Sequence, residues 1–139
     1  MAGKTVVCVE DDESVLELVN LVLRDPRFNM VTALGGRKGL EVIRSVRPDL
    51  VMLDLFMPDL SGWEVYDQIR RDRKLRNTKV VVLSAYQEEV ASALAPTLTG
   101  VDDYICKPFS LARLRNAVDE ALGLANSESL VLTTAAIRG

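Results

Sequence analysis

Apolar positions along this chain switch repeatedly between two patterns. Short continuous runs, rich in β-branched residues, indicate strands that are buried on both faces. Between these runs, apolar residues return every three or four positions, which is typical of the buried face of a helix. Strands are therefore predicted over residues 5–9, 30–33, 50–55, 79–84 and 103–106.

Five helices are predicted between and after these strands. Ser14 and Glu17 have the spacing of a capping box at the start of the first helix, and Pro48 follows the second. The fourth helix is short, covering residues 88–94, and Ser110 is placed to cap the last one. Strands that alternate with helices predict a doubly wound α/β fold, in which helices cover both faces of a parallel sheet.

The composition is that of an ordinary globular domain. Of the 139 residues, 48% are hydrophobic and 27% are charged, and the net charge is −3. Such a chain is too apolar to be disordered and too charged to be embedded in a membrane. No apolar run spans a bilayer and no signal-peptide pattern is present, so we expect a cytoplasmic protein without membrane contact. The mildly acidic balance does not favour direct binding of nucleic acid.

A domain boundary is expected near residue 124. Residues 1–124 are predicted to form one domain. Residues 125–139 begin with a polar stretch and then turn apolar. We interpret them as a flexible tail, with an added edge strand or a dimer contact as the alternatives.

Polar residues stand at the ends of four predicted strands. Glu10 and Asp11 follow the first strand, Asp54 lies near the end of the third, Ser84 ends the fourth and Lys107 follows the fifth. An open parallel sheet binds its ligands at the carboxyl ends of the strands. We therefore expect these side chains to meet at one edge of the sheet.

The residue types in this set point to phosphoryl chemistry with Mg²⁺. The chain contains no histidine, which removes the commonest transition-metal ligand and the commonest general base. Clustered carboxylates repel one another and need a cation, and a set of oxygen ligands suits Mg²⁺. A metal ion, an ammonium and a hydroxyl together stabilise the oxygens of a phosphoryl group in transfer. Asp54 is the candidate nucleophile, because it stands apart from the adjacent pair Glu10 and Asp11.

Four segments resemble the receiver domain of two-component response regulators, in the superfamily of the chemotaxis regulators. They are VVCVEDDE at 6–13, DLVMLDLFMPDLSG at 49–62, VVVLSA at 80–85 and DDYICKPF at 102–109. The segments follow the order and spacing of the family. The resemblance covers about residues 4–124 and implies a flavodoxin-like sheet with strand order 2-1-3-4-5.

The resemblance also implies roles for the acidic residues. Asp54 corresponds to the phosphoacceptor of the family. Asp11 corresponds to a direct Mg²⁺ ligand, while Glu10 is expected to act partly through water. The backbone carbonyl of Phe56 would supply a further oxygen to the metal.

Three other positions match residues that respond to phosphorylation in the family. Ser84 corresponds to the switch hydroxyl that turns toward the phosphoryl group, and Tyr104 to the aromatic residue that changes rotamer. Lys107 corresponds to the lysine that contacts the phosphoryl group, and the peptide bond that follows it is cis in the family. The resemblance places the output surface on the fourth helix, the fifth strand and the last helix.

The same resemblance implies partners. The phosphoryl donor would be a phosphohistidine on a sensor histidine kinase or on a histidine phosphotransfer protein, because a chain without histidine cannot be that donor. Downstream, we expect either a protein target or a fused output domain. The protein is expected to be a monomer or a weak dimer, and to catalyse only its own phosphorylation and dephosphorylation.

Two aromatic residues lie near the predicted acceptor. Phe56 follows Asp54 by two residues, and Tyr86 follows Ser84 by two residues. In the family these positions flank the path of the hydrolytic water. We interpret the pair as a screen that lengthens the life of the acyl phosphate, with simple loop packing as the alternative.

One class of enzyme and two kinds of binding module compete with this prediction. A phosphatase of the haloacid dehalogenase kind also uses Asp, Lys and Mg²⁺, but it needs a second Asp at the position of Phe56. A flavin-binding protein would carry a Ser/Thr-rich loop after the first strand, where this chain is acidic. A receiver-like scaffold that is never phosphorylated would be expected to have lost one of the site residues, and none is missing.

Overall fold

Five strands form a single parallel sheet in the computed structural model, which describes residues 3–85 and 100–124. The strands are β1 Lys4–Glu10, β2 Phe28–Leu34, β3 Leu50–Asp54, β4 Lys79–Ser84 and β5 Asp103–Cys106. The described helices are α1 Glu13–Val22, α2 Gly36–Val46, α3 Gly62–Arg71 and α4 Leu111–Ala121. Neighbouring strands follow the order β2-β1-β3-β4-β5. The predicted fold class and strand order are both confirmed.

The two faces of the sheet each pack against helices, which explains the continuous apolar runs of the strands. Successive residues of a strand point to opposite faces. Val7 and Val9 accordingly belong to a core cluster with residues of α2 and α3, whereas Val6 and Cys8 belong to a cluster with residues of α1 and α4. All of β3 is buried. A strand that is covered on both sides needs apolar residues at every position.

The start of α1 differs from its prediction. Ser14 and Glu17 do not form the capping box. Instead the side chain of Asp12 is the N-cap, because its Oδ1 accepts hydrogen bonds from the backbone N–H of Ser14 at 2.9 Å and from its hydroxyl at 2.6 Å. The helix begins directly after the strand and turn, which gives the earlier acidic residue the capping position. Ser110 caps α4 as predicted, accepting from the N–H of Arg113 at 3.0 Å.

Several predictions concern residues that the structure does not describe. The helix over 88–94, the aromatic residue Tyr86 and the tail 125–139 all lie outside the described residues. Among residues 3–85 and 100–124, none of the helices combines the length and the apolarity that a bilayer crossing requires.

Candidate functional site

Parallel strands bring the predicted site residues to one edge of the sheet. Glu10 ends β1, Asp54 ends β3 and Ser84 ends β4. Strands β1 and β3 are direct neighbours, with Val9 opposite Leu53, so the two acidic residues that follow come side by side. Lys107 comes directly after β5 at the same edge.

Three carboxylates form the centre of this site, which we call the acid pocket (Glu10, Asp11, Asp54 and the ammonium of Lys107). One oxygen of each carboxylate lies within 4.8 Å of the others. Glu10 is completely buried and Asp54 is 4% exposed, while Asp11 is exposed. Two backbone groups donate to these oxygens within the described part of the chain: the N–H of Phe56 to Asp54 Oδ1 and the N–H of Asp11 to Glu10 Oε2, both at 3.1 Å.

Lys107 is the cation of the pocket. Its Nζ contacts Glu10 Oε1 and lies 3.7 Å from Asp54 Oδ2. Burial disfavours the charged ammonium, but the hydrogen bond and the charge of Glu10, with that of Asp54, outweigh it and raise the pKa of Lys107. The backbone N–H of Lys107 donates to the carbonyl of the fully buried Ser84 at 2.6 Å, and the following bond to Pro108 is cis, as expected.

The negative charge of the pocket exceeds what one lysine neutralises. Burial, followed by the hydrogen bond with Asp54, raises the pKa of Glu10 to about 8, although Lys107 opposes the change. Burial and Asp54 also raise the pKa of Asp11. Both shifts express the cost of holding several carboxylates together in a partly desolvated place. A further cation would relieve that cost.

The donor set fits Mg²⁺. All three side chains offer oxygen, the ligand that Mg²⁺ prefers, and Mg²⁺ binds through one or two carboxylates while it keeps water or phosphate oxygens. Opposite ligands of its octahedral shell stand about 4.2 Å apart. The spread of up to 4.8 Å between the three oxygens is close enough for small side-chain rotations to close it.

Two aromatic residues that the sequence predicts near the site, Phe56 and Tyr104, lie in different surroundings. Phe56 is 38% exposed and packs edge-to-face on Trp63, with ring centroids 4.9 Å apart. Tyr104 is partly buried and packs against the core cluster on the α2 and α3 side. The contact of Phe56 with Trp63 is compatible with both interpretations of Phe56, the screen and the packing residue.

Gly62 is a site residue that the sequence reasoning missed. The sequence pattern assigns it no role, yet it opens α3 directly against the strand that bears the acceptor. A Cβ at this position would lie 2.2 Å from the backbone oxygen of Asp54. The signal in the sequence is a glycine at the start of a helix, where Ser61 already supplies the cap.

Comparison with known proteins shows which family this sequence resembles. The family model described as "Response regulator receiver domain" matches residues 6–119. The "Probable transcriptional regulatory protein TcrX" of Mycobacterium tuberculosis is 36% identical over 107 residues, covering 77% of this chain and 44% of the relative. The "DNA-binding response regulator MtrA" of the same species is 36% identical over 123 residues, covering 83% of this chain and 52% of the relative. The chain thus spans about half the length of these curated relatives.

Solved structures agree with the sequence comparison. The signal receiver domain of a putative Luxo repressor protein from Vibrio parahaemolyticus is 30% identical, with a TM-score of 0.77 over 93% of this chain and 97% of that one. A putative response regulator from Chloroflexus aurantiacus is 27% identical, with a TM-score of 0.78 over 87% of this chain and 98% of that one. Both alignments cover most of this chain and nearly all of the other.

Proposed function

Because this chain belongs to the response regulator receiver domain family, we propose that it accepts a phosphoryl group on Asp54 with the help of Mg²⁺. The donor is a phosphohistidine of a sensor histidine kinase or of a histidine phosphotransfer protein. The observation that supports this proposal most strongly is the acid pocket itself: three carboxylate oxygens within 4.8 Å of one another, with an ammonium beside them. The protein acts as a signalling switch in the cytoplasm and has no other substrate to turn over.

The chemistry assigns a separate task to each residue. A carboxylate oxygen of Asp54 attacks the phosphorus in line, so a new P–O bond forms as the P–N bond of the phosphohistidine breaks. The departing imidazole nitrogen keeps the electron pair of the P–N bond and takes a proton from solvent. Lys107, 3.7 Å from Asp54 Oδ2, neutralises charge on the phosphoryl oxygens. Asp11, Asp54 and the Phe56 carbonyl would hold Mg²⁺, with Glu10 acting partly through water, and the ion would supply the remaining positive charge.

The conformational switch follows from the phosphoryl oxygens that Asp54 gains. Ser84 turns its hydroxyl to the phosphoryl group, and Tyr104 changes rotamer in response. Moving a two-state element from about 1:99 to 99:1 takes roughly 5.5 kcal/mol of differential interaction. A few hydrogen bonds to a charged group supply that much, at about 1.5–3 kcal/mol each. The altered surface then binds a protein target or an output domain.

Acetyl phosphate and mass spectrometry test the proposal directly. With Mg²⁺ present, we expect the wild type and an Asp67→Ala control to gain the mass of one phosphoryl group, and Asp54→Ala to gain none. Asp67 is a suitable control because it is a half-exposed acid paired with Arg71 on α3. An unmodified wild type would instead support the unphosphorylated scaffold, and steady hydrolysis of a phosphomonoester would support the phosphatase.

The same phosphorylated protein tests the aromatic screen. If Phe56 and Tyr86 exclude the hydrolytic water, replacing both with serine speeds the loss of the phosphoryl group. An unchanged rate of loss leaves these residues with a packing role only.

A further inference from the structure

The amino terminus of α2 is capped by a residue from a different part of the chain. Its own N-cap position is Gly35, which has no side chain to accept a hydrogen bond. The carboxylate of Asp59 takes that place: Oδ1 accepts from the N–H of Gly36 at 3.1 Å and Oδ2 from the N–H of Arg37 at 3.0 Å. Asp59 lies in the loop between β3 and α3, which begins directly after Asp54.

The same helix terminus is also joined to β1. The N–H of Gly35 donates to the backbone oxygen of Glu10 at 2.8 Å. The next residue, Gly36, approaches the β3–α3 loop so closely that a Cβ there would lie 2.2 Å from the carbonyl oxygen of Leu60. The end of β1, the start of α2 and the β3–α3 loop are therefore in direct contact, and both strands that supply acids to the pocket belong to this contact.

The electrostatics favour a charged Asp59. Hydrogen bonds from the N–H groups of Arg37 and Gly36 lower the pKa of Asp59. The positive end of a helix dipole stabilises a carboxylate in the same way. Both carboxylate oxygens accept from these N–H groups, and Asp59 is not one of the three acids whose oxygens lie together in the acid pocket. Asp59 therefore serves the helix terminus.

We propose that Asp59 is a positioning residue for the acid pocket: by tying the β3–α3 loop to the amino terminus of α2, it fixes the backbone of Phe56 and the carboxylate of Asp54 for Mg²⁺. The inference rests on the proposed function, since it concerns the same metal site. Groups that orient metal ligands without touching the metal commonly change its affinity by about 10-fold or more when they are removed.

Mg²⁺ titration of the folded protein tests this role. Trp63, the only tryptophan of the chain, packs on Phe56 and so reports on the loop by its fluorescence. We expect Asp59→Ala to raise the Mg²⁺ dissociation constant by about 10-fold. Asp59→Asn should give a smaller increase, because its amide oxygen still accepts one of the two N–H groups while its NH₂ group cannot accept the other.

Asp72 offers a matched control. Its carboxylate accepts from the N–H of Lys74 at 2.9 Å, in a turn after α3 at the opposite edge of the sheet. Asp72→Ala removes the same charge and a similar backbone hydrogen bond, whereas Asp72→Asn removes the charge and keeps an amide oxygen that can accept the bond. Both variants should leave Mg²⁺ affinity unchanged. Chemical denaturation of every variant identifies conditions in which all are folded, so that a loss of stability is not mistaken for a loss of affinity.

The outcomes separate this inference from the proposed function. An Asp59→Ala protein with the wild-type Mg²⁺ constant, or an Asp72→Ala protein with an equally weakened one, overturns the positioning role. If the Trp63 fluorescence does not respond to Mg²⁺, calorimetry measures the same dissociation constants. A wild type that binds no Mg²⁺ overturns both proposals. A wild type that binds Mg²⁺ but takes no phosphoryl group overturns only the proposed function.

Discussion

Two clusters of charged side chains, each built around a buried acid, differ in how their charges balance. The acid pocket holds three carboxylates and one ammonium. The second cluster, which we call the arginine–aspartate network, consists of Asp25, Arg27, Arg115 and Asp119, two acids and two bases. Arg27 lies 3.3 Å from both Asp25 and Asp119, and Arg115 contacts Asp25. It joins the turn after α1 to α4.

Each cluster contains one acidic side chain that is fully buried, Glu10 in the pocket and Asp119 in the network. Burial raises the pKa of both. In the network, Arg27 and Arg115 oppose the shift, whereas in the pocket only Lys107 does. Burial of an acid therefore does not by itself indicate a binding site. An excess of one charge does, because a bound partner must then supply the other.

The largest effect is expected when the balance of the network is broken. Arg27→Met removes the paired cation of Asp119 and should lower the free energy of unfolding by about 3 kcal/mol, the low end for a broken buried pair because Arg115 remains. Arg44→Met, which removes an exposed arginine that bonds Gln68, should change it by less than about 0.5 kcal/mol. Urea denaturation measures both.

A double variant tests whether charge balance causes this loss of stability. Arg27→Met with Asp119→Leu removes the cation and the acid together, so most of the lost stability should return. Mg²⁺ affinity should be the same in the single and double variants, because the network is not part of the pocket. A double variant as unstable as Arg27→Met would mean that packing, and not charge balance, is the contribution of Arg27.

The second-largest effect concerns the excess negative charge of the acid pocket. Mg²⁺ at 100 times its dissociation constant should stabilise the wild type by about 2.7 kcal/mol. Asp11→Asn should lose most of this gain. Without Mg²⁺, however, the variant should be more stable than the wild type, because the raised pKa of Asp11 means that the folded state disfavours the charged carboxylate. Thermal unfolding with and without Mg²⁺ measures both; a less stable metal-free variant would contradict the account.

The smallest effect is the pH dependence that Asp119 contributes. Its pKa is raised above the ordinary 3.8 by burial first, with Asp25 adding to the shift and Arg27 and Arg115 opposing it. The folded state therefore holds the proton more tightly than the unfolded state. The stabilisation is complete below pH 3.8 and disappears as the pH rises through the folded pKa. The stability of the wild type relative to Asp119→Asn should thus fall as the pH rises; a flat difference would contradict the shift.

Local sequence was enough to predict the strands and the polar residues at their ends. The periodicity of apolar residues locates β3 and β4, and the rule for parallel sheets places Glu10 beside Asp54. The family resemblance contributed the strand order. Capping was less predictable, because Asp12 and Ser14 are both good N-cap residues and the geometry of the turn chooses between them.

Contacts between distant segments could not be predicted from the sequence. Asp59 caps a helix that begins 23 positions earlier in the chain, and Arg115 reaches Asp25 across 90 positions. In both cases, the sequence around one partner does not indicate the other partner. Such contacts depend on how helices lie on the finished sheet, which side-chain periodicity does not determine.

Lys107 follows β5, an edge strand of the sheet, but its ammonium contacts Glu10 at the end of the inner strand β1. In the strand order, β5 is the outermost strand and β1 lies three places away, a distance of about 14 Å between strand axes. The loop after β5 and one flexible side chain cover that distance to reach Glu10. A partner that shifts β5 can therefore alter the electrostatics of the acid pocket without contacting any of its acids.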